Sequence, residues 1–208
     1  MRFTESKGAY RMGIACFALL IMLGRVYGQT RLSPAEKDSL LSVVIKIAES
    51  QEGIRERTGN NDGEVEKYLK LVGLRRGNPY CTSGLFWVYN EAGVRLLVEN
   101  PAYSPNWALK PMKVVYRKVK PPDDYVMEKG DIMLFYIPTK KRIGHGELIK
   151  SEFGEYYKTT GFNTSGTDTD NGDGVRPMLR KKSLAYIIVR PSESEFFYKS
   201  KLFNHLKN

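Results

Sequence analysis

Two side chains in this sequence have the types and surroundings that amide chemistry requires, Cys81 and His145. Cys81 lies in the run Asn78-Pro79-Tyr80-Cys81-Thr82-Ser83-Gly84-Leu85-Phe86-Trp87-Val88-Tyr89-Asn90-Glu91-Ala92-Gly93. Pro79 closes the preceding loop, a dozen helix-compatible residues follow and Gly93 supplies a stop, so the cysteine is predicted in the first turn of a short helix. Unpaired N–H groups and the positive end of the helix dipole favour a thiolate there, and a free cysteine near pKa ~8.5 can fall to ~3.5–7.5 beside a histidine. A thiolate that attacks an amide needs a base that accepts and returns a proton near neutral pH, which is a histidine's role. Of the two histidines, His205 lies in a polar tail, whereas His145 opens an apolar run with a glycine on either side, Gly144-His145-Gly146.

The elements that must position this pair come from one domain. Arg2, Lys7 and Arg11 precede an uncharged run of 13 residues, Met12 to Gly24. A membrane-spanning helix needs ~20, so residues 1–28 read as a signal peptide cleaved before Gln29, with an uncleaved anchor as the alternative. Export would leave 180 of the 208 residues and remove Cys16, so that Cys81 remains as a lone thiol with no disulfide partner. Net charge is +10 over the chain, of which +3 belongs to residues 1–28, leaving +7. That balance suits an anionic polymer such as cell wall.

Ser33-Pro34-Ala35-Glu36 is a capping box, and Leu40, Leu41, Val44, Ile47 and Ala48 recur at helical spacing, predicting a long helix to about Ser50. A second short helix is predicted over Glu64–Val72. Residues 94–122 are broken by prolines and carry a basic run, Lys110, Lys113, Arg117, Lys118 and Lys120, which could hold acidic substrate groups if it borders a cleft. From Ile132 the period changes to about five strands, at 132–137, 144–150, 155–160, 175–179 and 184–189, with a hairpin turned at Glu152-Phe153-Gly154. Helices first and strands second predict an α+β domain over residues 29–190, with the helices on one face of an antiparallel sheet. Residues 191–208 read as an amphipathic tail helix. Asp168-Thr169-Asp170-Asn171-Gly172-Asp173-Gly174 has its glycine misplaced for a calcium loop and Leu179 where the closing glutamate belongs, so it reads as an acidic hairpin. One cysteine and one well-placed histidine make no zinc site, and no cofactor is expected.

Gly77-Asn78-Pro79-Tyr80-Cys81, the aromatic helix ending Glu91-Ala92-Gly93-Val94, then Lys129-Gly130-Asp131-Ile132 and Gly144-His145-Gly146 together resemble the papain-like cell-wall hydrolases of the NlpC and CHAP kind (cysteine, histidine-dependent amidohydrolase/peptidase). Glu52-Gly53-Ile54-Arg55-Glu56, Thr58-Gly59-Asn60-Asn61-Asp62-Gly63 and Ser104-Pro105-Asn106-Trp107 are similar to one bacterial and phage-associated branch of that group. The likeness implies a papain-like fold, Cys81 as nucleophile, His145 as general base and then acid, and a third polar residue that orients the imidazole. Relatives often carry a glutamate where this chain has Gly161, and Asn163, two residues on, is assigned the third role. Backbone N–H groups at the helix start, with Tyr80, Thr82 and Trp107, are assigned to the oxyanion or to substrate positioning; for Tyr80, packing of the loop is the competing reading. The implied reaction is thioester-mediated hydrolysis of a peptidoglycan amide, either by an endopeptidase or by an N-acetylmuramoyl-L-alanine amidase. Implied partners are peptidoglycan and a proteinaceous inhibitor, with a monomeric enzyme and no nucleic acid. Gly161 keeps open an inactive wall-binding module of the same fold.

Overall fold

The computed structural model describes residues 32–165, 172–194 and 197–199. The predicted signal peptide therefore lies outside the described residues, as do positions 166–171 of the acidic hairpin. Helix α1 (Pro34–Gln51) starts where the capping box places it: Ser33 Oγ accepts from the Glu36 N–H and the Glu36 carboxylate accepts from the Ser33 N–H. Leu40, Leu41, Val44 and Ala48 form its buried stripe. The second helix, α2 (Glu66–Leu71), follows a 3-10 turn at Gly63–Val65, so the predicted Glu64–Val72 segment combines the end of a 3-10 turn with a six-residue α-helix. Helix α3 (Cys81–Glu91) ends before Gly93, whose φ of +74° is the left-handed conformation that stops a helix.

Eight strands follow among the described residues: β1 (Val94–Arg95), β2 (Lys113–Arg117), β3 (Ile132–Ile137), β4 (Arg142–Phe153), β5 (Tyr156–Phe162), β6 (Val175–Lys181), β7 (Ile187–Arg190) and β8 (Tyr198–Lys199). Six of them form one antiparallel sheet in the order β2-β7-β3-β4-β5-β6. The α+β class is as expected, but the sheet has six strands rather than about five. The additional strand, β2, lies in the proline-broken stretch. It is a five-residue edge strand whose ends, Lys113 and Arg117, are exposed, and its backbone partners come from β7, 70 to 77 positions away in the chain. The hairpin between β4 and β5 turns at Gly154 (φ +56°), next to Phe153 as expected.

Strand alternation sends successive residues to opposite sides. Ile132, Leu134 and Leu148 join the larger core with the three helices, while Met133, Phe135 and Ile149 join a smaller one closed by Val115, Tyr116, Tyr125 and Met127. Buried Asp131, at the start of β3, accepts from Arg190 Nε and Nη2, both at 2.9 Å, and from the Glu128 N–H, which ties the turn into the sheet. The helix expected over 191–208 is absent from its described part. Pro191–Glu193 is a 3-10 turn, and Tyr198–Lys199 is a strand paired antiparallel with β1.

Candidate active site

Cys81 is the first residue of α3, and Tyr80 at the cap position gives the helix no side-chain cap. The N–H groups of the first turn are therefore left for other acceptors, and that of Thr82 favours the charged form of the Cys81 sulfur. Two glycines let this helix end approach the sheet. A Cβ on Gly84 would meet the Phe162 ring at 2.2 Å, and one on Gly146 would meet Thr82 Cγ2 at 3.2 Å and Leu134 Cδ2 at 3.0 Å. The resulting contact brings the sulfur to the imidazole of His145 on β4, and each stabilises the charged form of the other. Both line a cavity of about 300 Å³ together with Ser104, Tyr103, Lys140, Arg142 and Asn163. Cys81 is 5% exposed and lies at the bottom of this cavity rather than sealed within the core.

The residue that holds the ring is Glu147. Residues i and i+2 of a strand share a face, and His145 Nε2 lies 3.2 Å from Glu147 Oε1, donating to a carboxylate that has only lone pairs to offer. That leaves Nδ1 for the sulfur. Asn163, the residue assigned this role from the sequence, makes no hydrogen bond to His145. It sits at φ +54° after β5 and lines the cavity, and its buried Oδ1 has no partner among the described residues. Gly161 explains the exchange. It is the register partner of Glu147 across β4 and β5, and a Cβ there would stand 2.9 Å from Glu147 Oε1. A side chain on Gly161 would compete with the glutamate for the same space, so the carboxylate comes from His145's own strand.

Arg180 on β6 clamps that carboxylate, with Nε 3.0 Å from both oxygens and Nη2 2.6 Å from Oε1, and Thr159 Oγ1 donates to Oε2 at 2.6 Å. The whole set is buried. Burial resists ionisation of Glu147, but His145 and Arg180 outweigh it and hold the carboxyl down at about 2. For His145, burial opposes the charge while hydrogen bonds to Cys81 and Glu147 favour it, and the imidazole rises to about 9. Burial likewise raises the Cys81 thiol, yet His145, Ser104 and the Thr82 N–H bring it below its ordinary value. Both shifts favour the thiolate–imidazolium form of the pair, backed by a carboxylate.

Ser104, not singled out in the sequence, places its Oγ 3.7 Å from the Cys81 sulfur. It opens a 3-10 turn (Ser104–Ala108) anchored by Trp107, which is fully buried and donates from Nε1 to the Pro101 carbonyl at 2.9 Å. Trp107 therefore acts on the site through Ser104 and does not line the cavity. Tyr80 is also fully buried, stacked 5.7 Å from Tyr68, so it packs the loop, and it is not among the residues that line the cavity. Thr82 contributes its backbone N–H, since its side chain is buried and outside the cavity lining. None of Lys110, Lys113, Arg117, Lys118 and Lys120 lines the cavity; the cations that do are Lys140 and Arg142. Among the described residues no cluster of His, Cys, Asp and Glu is arranged to hold a metal, and no helix is long and apolar enough to cross a membrane. No family model, no curated protein and no solved structure matches this chain.

Proposed function

We propose that this chain is an exported papain-like cysteine hydrolase that cleaves an amide bond of peptidoglycan. The observation that carries the reading is the buried relay Cys81–His145–Glu147, opening through the sulfur onto a cavity. The Cys81 thiolate attacks the carbonyl carbon, and the oxyanion that forms is held by N–H groups of the first turn of α3. Collapse expels the amine, which takes its proton from the His145 imidazolium, and leaves a thioester on Cys81. The neutral imidazole then removes a proton from water, the hydroxide attacks the thioester, and the carboxylic acid departs as the thiolate and imidazolium re-form. Glu147 keeps the ring oriented throughout and offsets its charge.

The wall substrate and the export route rest on the motif resemblance and on the basic, apolar start of the chain. Purified sacculi digested with wild type and with Cys81→Ala test the proposal, with product masses read by mass spectrometry. Wild type is expected to release peptides with new amine ends or peptides freed from muramic acid, and the variant to release none. Equal digestion by both proteins would remove Cys81 as the nucleophile. Binding of sacculi by wild type without new ends would select the inactive wall-binding module.

A further inference from the structure

Among the described residues, the charged side chains that line the cavity beside Cys81 are Lys140, Arg142 and His145, and no carboxylate lines it. Arg142 is the first residue of β4, three before the imidazole. Its guanidinium carbon sits 5.0 Å from the centroid of the Tyr103 ring on the wall that also carries Ser104, and its Nη1 donates to the Ile143 carbonyl at 2.9 Å. Among the described residues no carboxylate pairs with it. An aromatic seat and one backbone bond hold the planar fork in place before a ligand arrives, which lowers the ordering cost of binding an anion.

We propose that Arg142, seated on Tyr103, is an anion subsite for a carboxylate that the substrate carries close to the scissile amide. This deepens the hydrolase reading and rests on it for the identity of the amide. A cavity of about 300 Å³ spans about two extended residues at ~3.5 Å each, so a group held at Arg142 belongs to the residue attacked at Cys81 or to its neighbour. Guanidinium and carboxylate meet as a fork with two parallel hydrogen bonds, which fixes orientation as well as charge. The preferred substrates are therefore wall peptides with a free carboxylate beside the cleaved bond, and their amidated counterparts are poor ones. The basic run at 110–120 has no part in this selection.

Titration calorimetry tests the subsite with two probes: a synthetic wall stem pentapeptide with free carboxylates, and the same peptide with every carboxylate converted to carboxamide. Cys81→Ala protein is used so that no cleavage intervenes. The acid peptide is expected to bind about tenfold tighter than the amide. Arg142→Gln in that background should shrink the gap to about threefold or less, and Arg142→Lys, which keeps charge without the fork, should recover part of it. Equal affinities for the two peptides with Arg142 present would overturn the subsite, and so would a gap that survives Arg142→Gln. A gap abolished by Arg142→Gln, together with no Cys81-dependent digestion of sacculi by the otherwise wild-type protein, would leave the subsite standing and remove the hydrolase reading instead.

Discussion

At the scale of single residues, the site depends on which group holds the imidazole. Asn163 would have offered a neutral acceptor, whereas Glu147 offers a charge, and in a dry site a charge shifts the ring's protonation. Removing that charge with Glu147→Gln should lower the His145 pKa from about 9 and weaken the thiolate it supports. The acid limb of thiol alkylation by iodoacetamide is expected to move up by about one pH unit, with kcat reduced ~10²–10⁴-fold. Asn163→Ala should leave the alkylation profile where wild type has it. The reverse pattern would return the orienting role to Asn163. Because Glu147→Gln strips Arg180 of its partner, it also costs about 3–5 kcal/mol of stability, so folding must be checked by urea denaturation at the assay temperature. The spacing His145-Gly146-Glu147 was already visible as i and i+2, and that period was the signal to use. What hid it was the expectation of an acid from the next strand.

At the scale of elements, the chemistry requires α3 to lie close on β4 and β5. Gly84 is the tightest point of that contact, since any Cβ there would run into Phe162. Gly84→Ala would gain helix propensity of up to ~1 kcal/mol in isolation, but overpacking costs ~1–3 kcal/mol or more, and with the clashing atoms at 2.2 Å overpacking wins. The variant should lower the urea midpoint at unchanged m-value and, by tilting the start of α3, slow alkylation of Cys81. An urea midpoint at or above wild type would show that the helix can shift without harm. Helices α1 and α3 were legible because caps, prolines and 3.6-residue periodicity act within a few residues. Strand β2 was not, because three apolar residues between prolines carry little pattern and only pairing with β7 makes them a strand.

At the scale of the whole molecule, the buried charges link stability to pH. Glu147 is held at about 2 against an ordinary 4.5, so its contribution is complete above pH 4.5 and is lost as pH falls toward 2. His145 is raised from 6.5 to about 9, so its contribution is complete below 6.5 and is lost as pH rises through 9. Cys81 runs the other way: its pKa is lowered from 9.0, so its contribution is complete above 9.0 and is lost as pH falls through the lowered value. Above both 6.5 and the lowered Cys81 value, and below 9, the folded pair holds one proton on the imidazole and the unfolded chain holds one on the thiol, so these two trends cancel. Wild-type unfolding free energy, measured in urea, should be flat across that window as far as this pair is concerned. In Cys81→Ser, which lacks the compensating thiol, it should fall as pH rises from 6.5. A flat profile in the serine variant would mean that Glu147 without the thiolate does not keep the imidazole charged in the fold.

What the sequence by itself determined is local: the capped first helix, the cysteine at the start of a short helix, the change to strands after Gly130, the Gly154 hairpin, and the choice of Cys81 and His145 as the candidate pair. Each follows from spacings of a few residues or from the scarcity of a residue type. The tertiary structure decided which distant groups meet. The register of β4 on β5 sets Glu147 against Gly161, β6 delivers Arg180 from 33 positions away, and burial takes Tyr80 and Trp107 out of the cavity. It also puts Arg142, rather than the basic run, in the cavity that Cys81 lines. Those outcomes depend on strand register and on helix-to-sheet approach, where contacts between residues far apart in the chain outweigh local preference.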